Sequence, residues 1–306
     1  MEMFLATKVS QALRVSSIRK IILFAFLFSS CATNSQNNHA GNGSAKMDSV
    51  ATANASTEIK SDSAGKTKTD SSAAVSSGNI PQANLPLFTT FPEIRKQGKS
   101  VTDFIPDGWK IMDSVSGDLN HDPFRDFVII LQHRDSVRMI DFSNDFVDTL
   151  ITQPRMVMVV LYDNSSSGFR LSASNDFFIP NHDRDNMQDP FQSMTIANGI
   201  LQFNFSYFAI VGSYEASNLT YKFRFENGDF ELIGGEYLDY MRNTGVTDEC
   251  SYDFLTKKMK WTAGGSMFDE RKKGTAQWET FTLDKMRTLS TMQPPGTWEV
   301  KKGHYL

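Results

Sequence analysis

The sequence predicts an all-β fold: an antiparallel β-meander or sandwich built from successive hairpins. Two observations carry that expectation. Between about residue 88 and residue 306, large apolar residues mostly alternate with polar ones, the period of a strand with one buried face. The dipeptides Asn198-Gly199 and Asn227-Gly228 each stand between two such runs. A two-residue hairpin turn needs positive φ at both central residues, and Asn and Gly tolerate it best. A small or partial β-propeller is the alternative, because the hairpins follow one another in blade-like order. No repeat is visible: Asp-Pro-Phe at 122–124 recurs only at 189–191, too short a match for a repeat architecture.

Taken in order, the first strands are 109–116 and 127–132. Strands 156–162 and 169–174 follow, joined by the polar turn 163–168. Then 193–197 meets 200–207, 220–226 meets 229–234, and 251–255 meets 258–262 across Thr256-Lys257. The last strand is 278–283, and 284–292 reads as a short helix. Along 201–207, and at Tyr221, Phe223 and Phe225, aromatic residues fall on one strand face. A sugar-binding platform shares that spacing, but burial in a core is its ordinary use.

The one chemical motif of the folded part lies between the first two strands. In Gly117-Asp118-Leu119-Asn120-His121-Asp122-Pro123-Phe124-Arg125-Asp126, oxygen side chains recur at alternate places. Asp118, Asn120, Asp122 and Asp126 occupy the first, third, fifth and ninth positions of a calcium loop, and Phe124 the place of a backbone-carbonyl ligand. Ca²⁺ takes six to eight such oxygens. With the apolar run that follows, the stretch resembles the short calcium loops of FG-GAP/VCBS-type repeats over about 109–132. Ca²⁺ is the cofactor this resemblance implies. Pro123 stands where such loops place Gly, and its ring fixes φ near −65° where the turn wants a positive value. The same residues also suit a metal-free turn, since Asp and Asn bond their own backbone.

The N-terminus reads as an address. Lys8, Arg14, Arg19 and Lys20 precede an apolar run at 21–28 and then Ser29-Ser30-Cys31, the layout of a secretory signal over 1–30. Eight apolar residues are too few to cross a bilayer, which takes ~20. Leu27-Phe28-Ser29-Ser30-Cys31 resembles a bacterial lipobox. The resemblance implies that Cys31 is acylated, becomes the mature N-terminus and anchors the chain to a membrane. Ala32 is not the Asp of an inner-membrane retention signal, which points to the outer membrane. Residues 31–87 are rich in Ser, Thr, Ala and Asn, with no aromatic residue before Phe88. Such a composition cannot bury enough apolar surface to offset its ordering entropy and reads as a flexible tether. The lysines at 46, 60, 66 and 68 are matched by Asp48, Glu58, Asp62 and Asp70, so no polybasic patch forms. Residues 88–306 are then a single domain.

The chain carries a net charge of −4. Loss of 1–30 removes four basic residues and Glu2, leaving about −7, a balance that argues against nucleic acid as a partner. With Cys31 acylated, Cys250 has no disulfide partner in the chain, and a lone Cys is ordinarily a small buried hydrophobe. The histidines at 121, 133, 182 and 304 show no zinc spacing, and neither a Gly-x-Ser-x-Gly elbow nor a phosphate-binding Gly loop occurs. A second acidic stretch, Asn181-His182-Asp183-Arg184-Asp185-Asn186-Met187-Gln188-Asp189, reads as a charged surface loop. Folded beside 118–126, it could share one ion with it or form an acid–base pair.

Ile105-Pro106-Asp107-Gly108-Trp109, the 220–225 strand with Asn227-Gly228, and Asp253-Phe254-Leu255-Thr256-Lys257-Lys258-Met259 resemble a group of Bacteroidota lipoproteins with no assigned activity. The expectation is a lipid-anchored, non-enzymatic envelope protein, periplasmic or surface-exposed, that binds an envelope protein or glycan or gives structural support. The alternative is a glycan- or peptidoglycan-acting hydrolase using carboxylates of the two loops.

Overall fold

The computed structural model describes residues 85–141 and 148–306. The leader at 1–30, Cys31 and the linker as far as 84 lie outside the described residues. The chain supplies β1 (Gln97–Gly98), β2 (Trp109–Gly117), β3 (Asp126–His133), β4 (Val137–Asp141), β5 (Asp148–Thr152), β6 (Arg155–Asp163) and β7 (Gly168–Asn175). Five of these form an antiparallel sheet in the order β1-β7-β6-β3-β2, while β4 and β5 pair with each other. Next come β8 (Phe191–Ala197), β9 (Ile200–Phe208), β10 (Glu215–Glu226), β11 (Asp229–Met241), β12 (Val246–Asp253), β13 (Lys258–Ser266) and β14 (Lys273–Thr280). They make one uninterrupted seven-stranded meander, each strand pairing with its chain neighbours. A short ribbon of β15 (Glu299–Lys301) and β16 (His304–Tyr305) follows.

The two sheets share one core, which makes the fold a sandwich of hairpins and sets aside the propeller. Val128, Ile130, Val157 and Val159 of the smaller sheet pack in the same cluster as Leu201, Phe203, Phe205, Tyr221 and Phe223 of the larger. The alternating aromatics are thus core residues. The other face of the smaller sheet is covered too. Ile129, Leu131, Met156 and Met158 meet Ile94, Phe104 and Trp109, with Phe88 and Phe91 beside them. Burial on both faces explains why β3 and β6 read as continuous apolar runs rather than alternating ones.

Both Asn-Gly turns form as the sequence requires, with φ of 53° and 73° at Asn198 and Gly199 and 53° and 85° at Asn227 and Gly228. The β12–β13 turn is longer than expected. Strand β12 ends at Asp253, whose carboxylate accepts the N–H groups of Leu255 and Thr256, both at 3.0 Å. The last strand of the meander lies earlier than 278–283, over Lys273–Thr280.

The helix expected over 284–292 does not form. Only a 3-10 turn occurs there, at Leu289–Thr291. Leu289 and Met292 are buried in the shared core, with Leu283 and Met286 packed against it. The backbone is spent on the sheet: Leu232 N–H donates to the Arg287 carbonyl at 2.8 Å. A sheet partner here replaces the intrahelical bonds that the apolar spacing suggested.

The link from β7 to β8 plugs the sandwich. Phe178 sits edge-on to Phe203, Phe205, Tyr221 and Phe223 at centroid distances of 5.3, 5.3, 5.1 and 5.7 Å. Buried Asn175 holds it there. Its Oδ1 accepts the N–H groups of Phe177 and Phe178 at 2.7 and 2.8 Å. Its Nδ2 donates to the carbonyls of Leu289 and Met292 at 2.8 and 2.9 Å. Both amide donors and the carbonyl are satisfied, which is what makes a buried Asn tolerable.

Candidate functional site

The 118–126 loop is a network of Asx bonds. Asp122 N–H donates to Asp118 Oδ1 at 3.2 Å and to Asn120 Oδ1 at 3.1 Å. Phe124 N–H donates to Asp122 Oδ1 at 2.8 Å, and Asn120 Nδ2 to Asp122 Oδ2 at 2.8 Å. The positive φ that Pro123 cannot supply appears two residues earlier, at His121 with φ 62°. The chain therefore closes its turn by a different route from a Gly-containing calcium loop. His121 lies against Gly199 of the β8–β9 turn, where a Cβ would come within 2.7 Å of the imidazole. Gly117 meets Ile196 just as closely. The loop is thereby seated on the edge of the larger sheet.

Asp126 is the innermost member and fully buried. Its Oδ2 accepts Leu119 N–H at 2.9 Å and its Oδ1 accepts Tyr162 N–H at 3.0 Å, so it ties the turn to the end of β6. Burial raises its pKa above the ordinary carboxylate value. The two N–H donors oppose that shift, and the charges of Asp122 and Asp118 add to it.

The oxygens suit Ca²⁺ in kind, since each accepting oxygen keeps a lone pair and a divalent cation would relieve the mutual repulsion. In placement they serve the loop's own amides. Among the described residues no three His, Cys, Asp or Glu side chains converge as a metal centre.

The second acidic stretch does not join the first. Asp189 forms a two-pronged ion pair with buried Arg155, at 2.7 and 2.6 Å. Arg155 also donates to the Pro180 carbonyl at 3.0 Å, and its own N–H reaches Asn181 Oδ1 at 3.1 Å. Burial pushes the Asp189 pKa up, but the Arg155 guanidinium outweighs it and holds the carboxyl below its usual value. Asp126 bonds Tyr162 and Asp189 bonds Arg155, at opposite ends of β6. At ~3.3 Å per residue that separates the two anchor points by roughly 20 Å. A shared ion, or a catalytic pair drawn from both loops, does not fit this geometry.

What the 180–190 segment builds instead is the rim of a cleft of about 490 Å³. Its walls include Tyr207, Tyr237, Leu219, Ser217 and Thr297, with Asn181, Asp183 and Gln188 on the rim. Tyr207 is the last aromatic of the β9 alternation, emerging where the core ends. Its hydroxyl donates to the Pro295 carbonyl at 3.2 Å. Burial raises the Tyr207 phenol far above its ordinary pKa, and that of Tyr237 to about 12. Both stay neutral and can donate hydrogen bonds. Of the acidic side chains at 183–189, Asp183 lines the cleft, with Arg184 at 3.9 Å.

Sequence reasoning did not find this cleft. It joins residues from five separate stretches, and Tyr207 and Tyr237 carry the same alternation as core aromatics. Cys250 is buried, and burial lifts its thiol to about 12, as expected of a structural cysteine. No protein-family model, curated protein or solved structure matches the chain.

Proposed function

We propose that this is a lipid-anchored envelope protein, held at the outer membrane through Cys31, whose β-sandwich binds a glycan segment without cleaving it. The observation that supports the binding reading most is the cleft beside the 180–190 segment. Its lining includes Tyr207, Tyr237 and Leu219, suited to the C–H faces of sugar rings, and Asn181, Gln188, Ser217 and Thr297, suited to sugar hydroxyls. Glycoside hydrolysis ordinarily takes two carboxyl groups ~5–10 Å apart, whereas Asp189 is committed to Arg155.

The test is calorimetric titration of the protein with soluble peptidoglycan fragments, with reducing ends assayed on the same samples. Saturable heat that weakens at least about tenfold in Tyr237→Ala is the expected result, loss of one aromatic contact in a pocket being worth more than 1 kcal/mol. Release of new reducing ends would overturn the non-catalytic reading in favour of the hydrolase. Metabolic labelling with palmitate, lost in Cys31→Ala, tests the anchor.

The same proposal gives the 118–126 loop a supporting role. Asp118, Asn120, Asp122 and Asp126, with the Phe124 carbonyl, would hold a Ca²⁺ ion that offsets their repulsion and fixes the first hairpin. The ion would be drawn from outside the cell, and it would do no chemistry.

A further inference from the structure

We propose that one end of the seven-stranded sheet is a membrane-contact ridge, at which the folded domain inserts apolar loop tips into the interface of a lipid bilayer. Three hairpin connections meet at this end: the β9–β10, β11–β12 and β13–β14 loops. They present Ile210, Val211, Tyr214, Val246, Met267 and Phe268, half of the large apolar side chains found exposed among the described residues. Val211, Tyr214 and Phe268 are more than 60% exposed, although each costs free energy in water.

Backbone hydrogen bonds join the three loops into one ridge. Arg242 N–H donates to the Tyr214 carbonyl at 2.8 Å. The Arg242 guanidinium bonds the carbonyls of Ala209 and Ser213 and lies 4.2 Å over the Phe208 ring. Met267 N–H reaches the Gly245 carbonyl at 2.8 Å, and the Phe268 ring lies against Gly245, where no Cβ would fit. One guanidinium thus ties both ends of the 209–214 loop to the end of β11.

A bilayer is the occupant these features favour. The ridge is a row of convex tips, which a soft interface accepts and a protein partner could meet only with a matching groove. Tyrosine at its margin suits the headgroup level. With Arg242 spent on the loop carbonyls, the ridge carries Arg271, Lys272 and Lys273 against Glu215, Asp269 and Glu270, so it bears no net negative charge in an acidic chain. Long cationic side chains beside apolar tips reach lipid headgroups while their stems stay in the apolar layer. The choice of occupant rests on the acyl-anchor reading, which keeps a bilayer within the domain's reach.

The experiment uses the full chain, acylated at Cys31, in phosphatidylethanolamine/phosphatidylglycerol vesicles containing a nitroxide-labelled lipid. A fluorophore is placed on Val211→Cys and, separately, on Thr256→Cys in the β12–β13 turn at the opposite end of the sheet. Buried Cys250 stays unlabelled. The 211 label should be quenched several-fold more than the 256 label, and Ile210→Asp with Phe268→Asp should abolish the difference. Equal quenching, or none, in protein that remains on the vesicles overturns the ridge while leaving the anchor intact. Protein that leaves the vesicles overturns the anchor. The ridge is then judged by the same labels on soluble chain mixed with those vesicles, where no quenching overturns it as well. A 211 label shielded without vesicles marks the ridge as a protein–protein contact and also overturns the assignment.

Discussion

The two acidic loops have similar composition and opposite physics. In 118–126 the carboxylates turn inward onto their own backbone, and burial raises the pKa of Asp126, with the charges of Asp122 and Asp118 adding to the rise. In 181–189 the decisive carboxylate meets a buried guanidinium, and its pKa falls. A run of Asp and Asn in a sequence does not define a site. What each carboxylate faces decides whether it is a strained anion open to a cation or a spent half of an ion pair.

The strongest way to sharpen that contrast is to remove one partner of the pair. Arg155→Ala leaves Asp189 without its cation and frees the Pro180 carbonyl. It should cost about 3–5 kcal/mol, the usual penalty for breaking a buried pair, read by urea unfolding. Asp189→Asn should cost less, because Asn still accepts from Phe191 N–H.

Next in size is Asp126→Ala, which orphans the buried N–H groups of Leu119 and Tyr162. A cost of roughly 2–4 kcal/mol follows from one to two unsatisfied donors, partly offset by relief of a buried charge.

pH separates the loops by sign. Asp189 has a depressed folded pKa, so its stabilisation is present above the ordinary value near 3.9 and is lost as pH falls through the folded value. Asp126 has a raised pKa, so the folded state gains stability as pH falls through that value toward 3.9. Asp189→Asn should therefore flatten the loss of stability below about pH 4, and Asp126→Asn the gain just above it. The reverse assignment would break the comparison.

Calcium should act on one loop alone. Thermal unfolding in EDTA and then in millimolar Ca²⁺ should show an upward shift that Asp118→Ala removes and Asp189→Asn leaves in place. At 100 times the Kd the gain is ~2.7 kcal/mol. An unchanged midpoint would leave the loop as a metal-free turn. Smallest of all, His121→Gly should change stability by no more than about 1 kcal/mol. Relief of the positive φ is opposed by loss of the imidazole packed on Gly199.

Much of the sheet was legible because its signals are local. Asn198-Gly199 and Asn227-Gly228 specify their turns within two residues, and β9 and β10 alternate as a half-buried strand must. The β4–β5 ribbon was missed because its strands, Val137–Asp141 and Asp148–Thr152, are only five residues each, too short for a clear alternation. The residues at 284–292 misled because apolar spacing does not say whether a backbone bonds itself or a neighbouring strand. Of the candidate sites, the carboxylates of 118–126 were legible by spacing. The Arg155–Asp189 pair, 34 residues apart, and the tyrosine-walled cleft depend on long-range contacts that no short window contains.

Asp126 also works as a clock. The amide hydrogens of Leu119 and Tyr162 point at one carboxylate that water does not reach. The Tyr162 proton can exchange with solvent deuterium only when the first hairpin lifts from the end of β6, whereas the Leu119 proton, bonded within that hairpin, is also freed by opening of the turn alone. Leu119 should therefore exchange at least as fast as Tyr162, 43 positions further along the chain. The gap between the two rates separates opening of the turn from release of the strand.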